Sequence, residues 1–220
     1  MDAKRQAPLS CSRNQDHLAP GKIHLLAPLV PGGSILFAST KSGSGAGHRL
    51  ASTLMGALAR LDPHWSHWPD ESALTLHKGT LGGPCLLLGE KQGPSLSFSY
   101  GRERLWAALC SKGRVGIDVA YPEDFVTGYP FDRAFRPEEL DCARALCHND
   151  KARGAALIWS AKEASVKATG EGFNHFDPLQ VRVRAPLVKE QGFLFEVLAD
   201  RPITAWARTE DTGWLCVALT

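Results

Sequence analysis

The chain has 220 residues, 44% hydrophobic, 22% charged and 8% aromatic, a composition that excludes a disordered or fibrous polymer and allows one large core or two smaller ones. Twenty-five basic against 23 acidic side chains leave a formal charge of +2, too balanced to steer the whole molecule onto nucleic acid or an anionic membrane. Any anion site has to be local.

The first twenty residues hold no apolar stretch of the secretory kind, and no apolar run long enough to span a bilayer occurs anywhere, so a cytoplasmic protein is expected. The cysteines at 11, 85, 110, 142, 147 and 216 are scattered, without a CxxC pair, and are expected to be reduced thiols. Cys142, Cys147 and His148 lack a second half-site for a metal, and a helical setting favours buried structural thiols.

Residues 1–21, polar and rich in Pro and Ser, are expected to form a loosely ordered terminus. Apolar runs at 23–30 and 34–39, separated by Pro31-Gly32-Gly33, predict two strands and a turn. Leu50, Leu54, Leu58 and Leu61 then recur at three and four, the spacing of one helix face, until Pro63 ends the pattern. Strands are predicted at 73–77, 85–89, 95–99, 104–110 and 114–120, the last three joined by connections short enough for an antiparallel meander. Pro137-Glu138-Glu139 marks a helix first turn, and a longer helix runs through Leu157 to a stop at Gly170. Strands at 180–185, 192–199, 203–208 and 213–219 close the chain. The order of blocks, with strands grouped rather than alternating with helices, predicts an α+β fold with antiparallel sheets. Two similar lobes are expected, an N-terminal one over 22–113 and a C-terminal one over 114–220.

In the predicted strand at 114–120, Val115, Ile117 and Val119 share one face, while Gly116 and Asp118 share the other. Asp118 reads either as a solvated edge carboxylate or as the flank of a ligand surface. Gly116 favours the second, because a strand-interior glycine often marks close approach to its backbone. On the long helix, Leu157, Ala161, Ala164 and Ala168 form a stripe of mainly small residues, and Trp159, Glu163 and Lys167 follow at four-residue steps on the roughly opposite side. Glu163 and Lys167 read either as an exposed i,i+4 pair or, beside Trp159 and Val166, as a partly buried pair that a ligand or metal would compensate. One carboxylate from a strand and one from a helix suit Mg²⁺, with phosphate oxygens and water completing its octahedron and Lys167 within reach of the same phosphate.

Val115-Gly116-Ile117-Asp118, followed by Trp159-Ser160-Ala161-Lys162-Glu163-Ala164-Ser165-Val166-Lys167 and by Gly170-Glu171-Gly172, resembles the 4′-phosphopantetheinyl transferases of the two-lobe, single-chain type. Phe135-Arg136-Pro137-Glu138-Glu139-Leu140, the serine-rich 94–99 and His48-Arg49 extend the likeness over roughly residues 45–220. The resemblance implies a pseudodimer with coenzyme A in the cleft between lobes. It also implies Mg²⁺-dependent transfer of phosphopantetheine from coenzyme A to a serine of an acyl, aryl or peptidyl carrier protein. Asp118 and Glu163 would hold the metal, with Asp118, Glu163 and Lys167 catalytic. Ser97, Arg49 and Lys167 would contact coenzyme A. A monomer is preferred to an oligomer, with neither nucleic acid nor membrane as partner.

Three positions depart from that pattern: Ala120 where larger members carry a second acid, Phe98 where the strand usually has a histidine, and Gly83 where a turn usually supplies a lysine. These three positions motivate an alternative, a catalytically divergent or inactive relative that binds carrier proteins or their tethered acyl groups without transfer, and the two missing cations make Lys41, His48, Arg49 and Lys78 candidate replacements. The loop 41–47 lacks the spacing of a phosphate-binding motif and reads as flexible. His64-Trp65-Ser66-His67-Trp68 reads as a clamp or as self-packing. The aromatics Phe125, Tyr129, Phe131 and Phe135 read equally as a carrier-facing surface or as core.

Overall fold

The computed structural model describes residues 21–26, 33–67, 73–79, 81–126, 128–189 and 191–220. Residues 1–20 of the expected loose terminus, the end of the 23–30 strand with Pro31-Gly32, and Trp68 lie outside them.

Strands β1 (His24–Leu26) and β2 (Ile35–Lys41) pair antiparallel and lead into helix α1 (Ala46–Leu61). Leu50, Leu54 and Leu58 of α1 are buried, whereas Leu61, at its last turn, is exposed. A small sheet of β3 (Leu74–Lys78), β4 (Pro84–Leu88) and β5 (Lys91–Gln92) follows, then the hairpin β6 (Ser95–Gly101) and β7 (Arg104–Cys110). The first four-stranded sheet has the order β1-β2-β7-β6.

The second half begins with β8 (Val115–Ala120), then α2 (Phe131–Ala134), α3 (Pro137–Leu146) and α4 (Lys151–Thr169). Helix α4 starts earlier than its apolar pattern suggests, because the Asp150 side chain caps it by accepting from the Arg153 N–H. It ends at Gly170, whose φ of 85° is the left-handed cap that glycine adopts without strain. Strands β9 (Arg182–Val183), β10 (Leu187–Lys189), β11 (Gly192–Leu198), β12 (Pro202–Glu210) and β13 (Gly213–Leu219) complete it, one short strand more than predicted. The second sheet runs β10-β11-β12-β13-β8, with β9 beside β11.

The expected meander of the strands at 95–99, 104–110 and 114–120 is corrected. β8 pairs with β13, not with β7, so Lys112-Gly113 carries the chain from one sheet to the other. In both halves an early strand pairs with the last strand, which pairs with its predecessor: β2-β7-β6 and β8-β13-β12. This repetition gives the two lobes of the α+β fold. Apolar faces of the two sheets meet, with Ile35, Phe37, Trp106 and Ala108 against Ile117, Trp206, Leu215 and Val217, while α1 covers the outer face of the first sheet and α4 that of the second. The layers are therefore helix, sheet, sheet, helix.

Side chains tie the lobes further. Ser95, Ser97 and Ser99 alternate along β6, and their hydroxyl oxygens accept from the N–H groups of Val115, Ile117 and Val119 at 3.0, 3.1 and 3.2 Å, satisfying the edge of β8 that β13 leaves open. Arg104 pairs with the buried Glu210 at 3.3 Å, and Arg102 with Glu123 at 3.0 Å. Among the described residues no helix is long and apolar enough to cross a membrane. Cys85, Cys110, Cys142 and Cys216 carry free thiols, and no cluster of three or more His, Cys, Asp or Glu is placed to hold a metal among the described residues.

Candidate active site

Both faces of β8 are covered, so Asp118 is not a solvated edge residue. It is 6% exposed, beneath α4. What approaches Gly116 is the helix itself: a Cβ there would lie 1.9 Å from the Ala164 carbonyl oxygen and 2.7 Å from the Ala168 nitrogen. The missing side chain lets the small-residue stripe of α4 rest directly on β8, which brings Glu163 and Lys167 over Asp118.

The three groups meet in the fold. Lys167 Nζ lies 2.6 Å from Asp118 Oδ1 and 3.8 Å from Glu163 Oε2, and donates to the Ile117 carbonyl at 3.2 Å. Ser99 donates to the same Asp118 oxygen at 3.0 Å while accepting from Val119 N–H, so a first-lobe hydroxyl fixes a second-lobe carboxylate. Burial pushes the Asp118 carboxyl above the usual carboxylate range, with Lys167 and Ser99 opposing the shift. Glu163 is raised as well, by burial first and by the Asp118 charge second, against the pull of Lys167. Two oxygen donors are what Mg²⁺ takes from protein beside a phosphate, and Asp118 and Glu163 flank Lys167 as such a pair. This donor set fits such a cation, with Lys167 sharing Asp118.

Next to Glu163 on the same helix, Lys162 is wholly buried, with Nζ 2.8 Å from Glu139 Oε2 and bonds to the Ala134 and Pro178 carbonyls. Glu139 also accepts from Arg136 N–H, closing the N-terminus of α3, and from Val183 N–H. Burial pulls the Lys162 ammonium pKa down and Glu139 pulls it back up. The pair locks α3 onto α4. Phe125, Tyr129, Phe131 and Phe135 form a ring cluster with Trp159, and Phe125 and Phe135 are buried, so this connection packs on its own lobe.

Lys167 also lines a cleft of about 1070 Å³ between the small sheet with β6 on one side and the end of α4 with the start of β8 on the other. Lys78, Arg114, His77, Ser97, Phe98, Trp65 and the turn Gly82-Gly83-Pro84 share its walls, and among the described residues no Asp or Glu does. Ser97 stands at the cleft, already accepting from Ile117 N–H. Phe98 rests on Gly47 and the first-lobe core. Of the candidate replacement cations only Lys78 lines the cleft. Arg49 does not: its guanidinium turns back to the Ser44 carbonyl at 3.0 Å, because α1 begins at a left-handed Gly45 that leaves room for it. His48 bonds the Leu74 carbonyl, and Lys41 ends β2 away from the cleft lining. Sequence reasoning missed Arg114 and Ser99. The signal for Ser99 was its alternation with Ser95 and Ser97; Arg114 offered only its place before β8.

The 4′-phosphopantetheinyl transferase superfamily model matches residues 114–218. Over 147 residues the chain is 24% identical to a Synechocystis sp. protein named “Putative 4'-phosphopantetheinyl transferase”; the alignment covers 64% of this chain and 59% of that protein, so the chain spans about three fifths of the curated relative's length. The matched segment, just under half of the chain, includes β8, α4 and the glycine contact that joins them, and over it the chain is similar to the 4′-phosphopantetheinyl transferase superfamily.

Proposed function

We propose that this chain transfers 4′-phosphopantetheine from coenzyme A to a serine of an acyl, aryl or peptidyl carrier protein, with Mg²⁺ held by Asp118 and Glu163. One observation carries the reading: a cleft whose described walls hold Lys78, Arg114 and Lys167 but no carboxylate leads to the Asp118–Lys167–Glu163 cluster. Such a cleft attracts an anion and delivers it to groups able to move a proton and neutralise charge.

In this reading the carrier serine oxygen attacks the pyrophosphate phosphorus that bears pantetheine. The new O–P bond forms as the P–O bond to adenosine 3′,5′-bisphosphate breaks. Glu163 accepts the serine proton. Lys167 neutralises charge that builds on the leaving side, and Asp118 holds Lys167 in place. The bound Mg²⁺ would add a further positive charge at the phosphates. Ser97 donates its hydroxyl proton to a phosphate oxygen from the first lobe. The two lobes divide near residue 113, where the chain leaves the first sheet, and the carrier docks on a monomer in the cytoplasm.

The test is incubation of the protein with coenzyme A, Mg²⁺ and a panel of apo carrier proteins, read by intact mass. One phosphopantetheine added to a carrier supports the reading. No measurable coenzyme A binding and no carrier modified would favour the carrier-binding relative, the outcome that Phe98, Gly83 and Ala120 motivate.

A further inference from the structure

We infer that Arg114 is the pyrophosphate-binding fork of the cleft and supplies the positive charge that Phe98 and Gly83 do not. The inference rests on the reading that the cleft takes coenzyme A. Arg114 lies just ahead of β8, its backbone bonded in both directions to Thr220, with N–H to Thr220 O at 3.4 Å and Thr220 N–H to Arg114 O at 3.1 Å. Its guanidinium rests on Gly170. A Cβ at residue 170 would lie 1.8 Å from Arg114 Nη2, so the glycine that ends α4 also makes the seat for the fork. The guanidinium is exposed, lines the cleft, and has no ion-pair or hydrogen-bond partner among the described residues, while no acid among them shares those walls.

Lys167 by contrast is engaged by Asp118, so it offers only part of its charge. Gly170 follows Lys167 by less than one helical turn, and fork and ammonium therefore face the same stretch of the cleft. That stretch is also the negative end of the α4 dipole, where an anion would be repelled unless a cation stood beside it. A planar guanidinium matches two phosphate oxygens at once, and adjacent phosphates beside Lys167 are the part of coenzyme A that reacts. Lys78 stands on the wall built by the small sheet.

Isothermal titration of the unaltered protein, Arg114→Gln and Arg114→Lys with coenzyme A and with 3′-dephospho-coenzyme A tests this, circular dichroism confirming that each variant is folded. Arg114→Gln is expected to weaken both ligands alike, by about ten- to a hundredfold, because both carry the pyrophosphate. Arg114→Lys should recover only part of the loss, since a point charge cannot replace the fork. A loss confined to coenzyme A would move Arg114 to the 3′-phosphate and overturn the assignment. Equal affinity of Arg114→Gln and the unaltered protein would overturn it outright. If the unaltered protein bound neither ligand, the reading of the cleft would fall and this assignment with it.

Discussion

Substituting Gly116 by alanine perturbs the active cluster without touching any charged residue. The added Cβ would sit 1.9 Å from the Ala164 oxygen, roughly 1.5 Å short of an ordinary contact, and 2.7 Å from the Ala168 nitrogen. Both obstacles are helix backbone, which has no rotamer to escape into, so α4 must lift from β8. Overpacking of a core costs about 1–3 kcal/mol, and a backbone clash belongs at the upper end, about 3 kcal/mol. With a urea m-value of about 2 kcal/mol/M the unfolding midpoint should fall by about 1.5 M. The same displacement carries Lys167 beyond hydrogen-bond reach of the Ile117 carbonyl, now 3.2 Å away, and loosens its 2.6 Å contact with Asp118. Transfer measured on the folded fraction should therefore drop by about a hundredfold. A variant within about 0.5 kcal/mol of the parent and equally active would refute the claim that Gly116 sets the height of the helix over the site.

Glu163→Gln should abolish transfer yet unfold at higher urea than the parent at neutral pH. A carboxyl whose folded pKa is raised contributes destabilisation that is absent below its unfolded pKa and grows as pH rises through the folded value, so the advantage of the amide should vanish as pH falls toward 4.5. Ser99→Ala removes the acceptor of Val119 N–H and a donor to Asp118, and should lower stability by about 1–3 kcal/mol in urea unfolding. Lys162→Met leaves Glu139 charged and buried without its ammonium, and a loss of about 3–5 kcal/mol is expected, which thermal unfolding would register.

The parts of this site that were legible in the sequence are those written in local periodicity. Val115-Gly116-Ile117-Asp118 announces a strand by alternation, and Glu163 and Lys167 announce one helix face by their spacing, so only their meeting had to be supplied by the fold. The illegible parts depend on partners distant in the chain. Lys112-Gly113 is as short as a hairpin turn, and only the pairing of β8 with β13 reveals that it links two sheets. Gly116 advertises a close approach without saying whether a ligand or a helix makes it. Arg49 and Arg114 both precede or open regular elements near expected phosphate positions. What separates them is that a left-handed Gly45 folds one guanidinium back on its own loop, whereas Gly170, from another element, seats the other in the cleft.

The most direct test of the account is single-turnover release of adenosine 3′,5′-bisphosphate from coenzyme A in the presence of an apo carrier and Mg²⁺, measured for the parent, Glu163→Gln and Lys167→Met. The account predicts one bisphosphate released per carrier modified by the parent and no release by either variant. Release at the parental rate by both variants would contradict it.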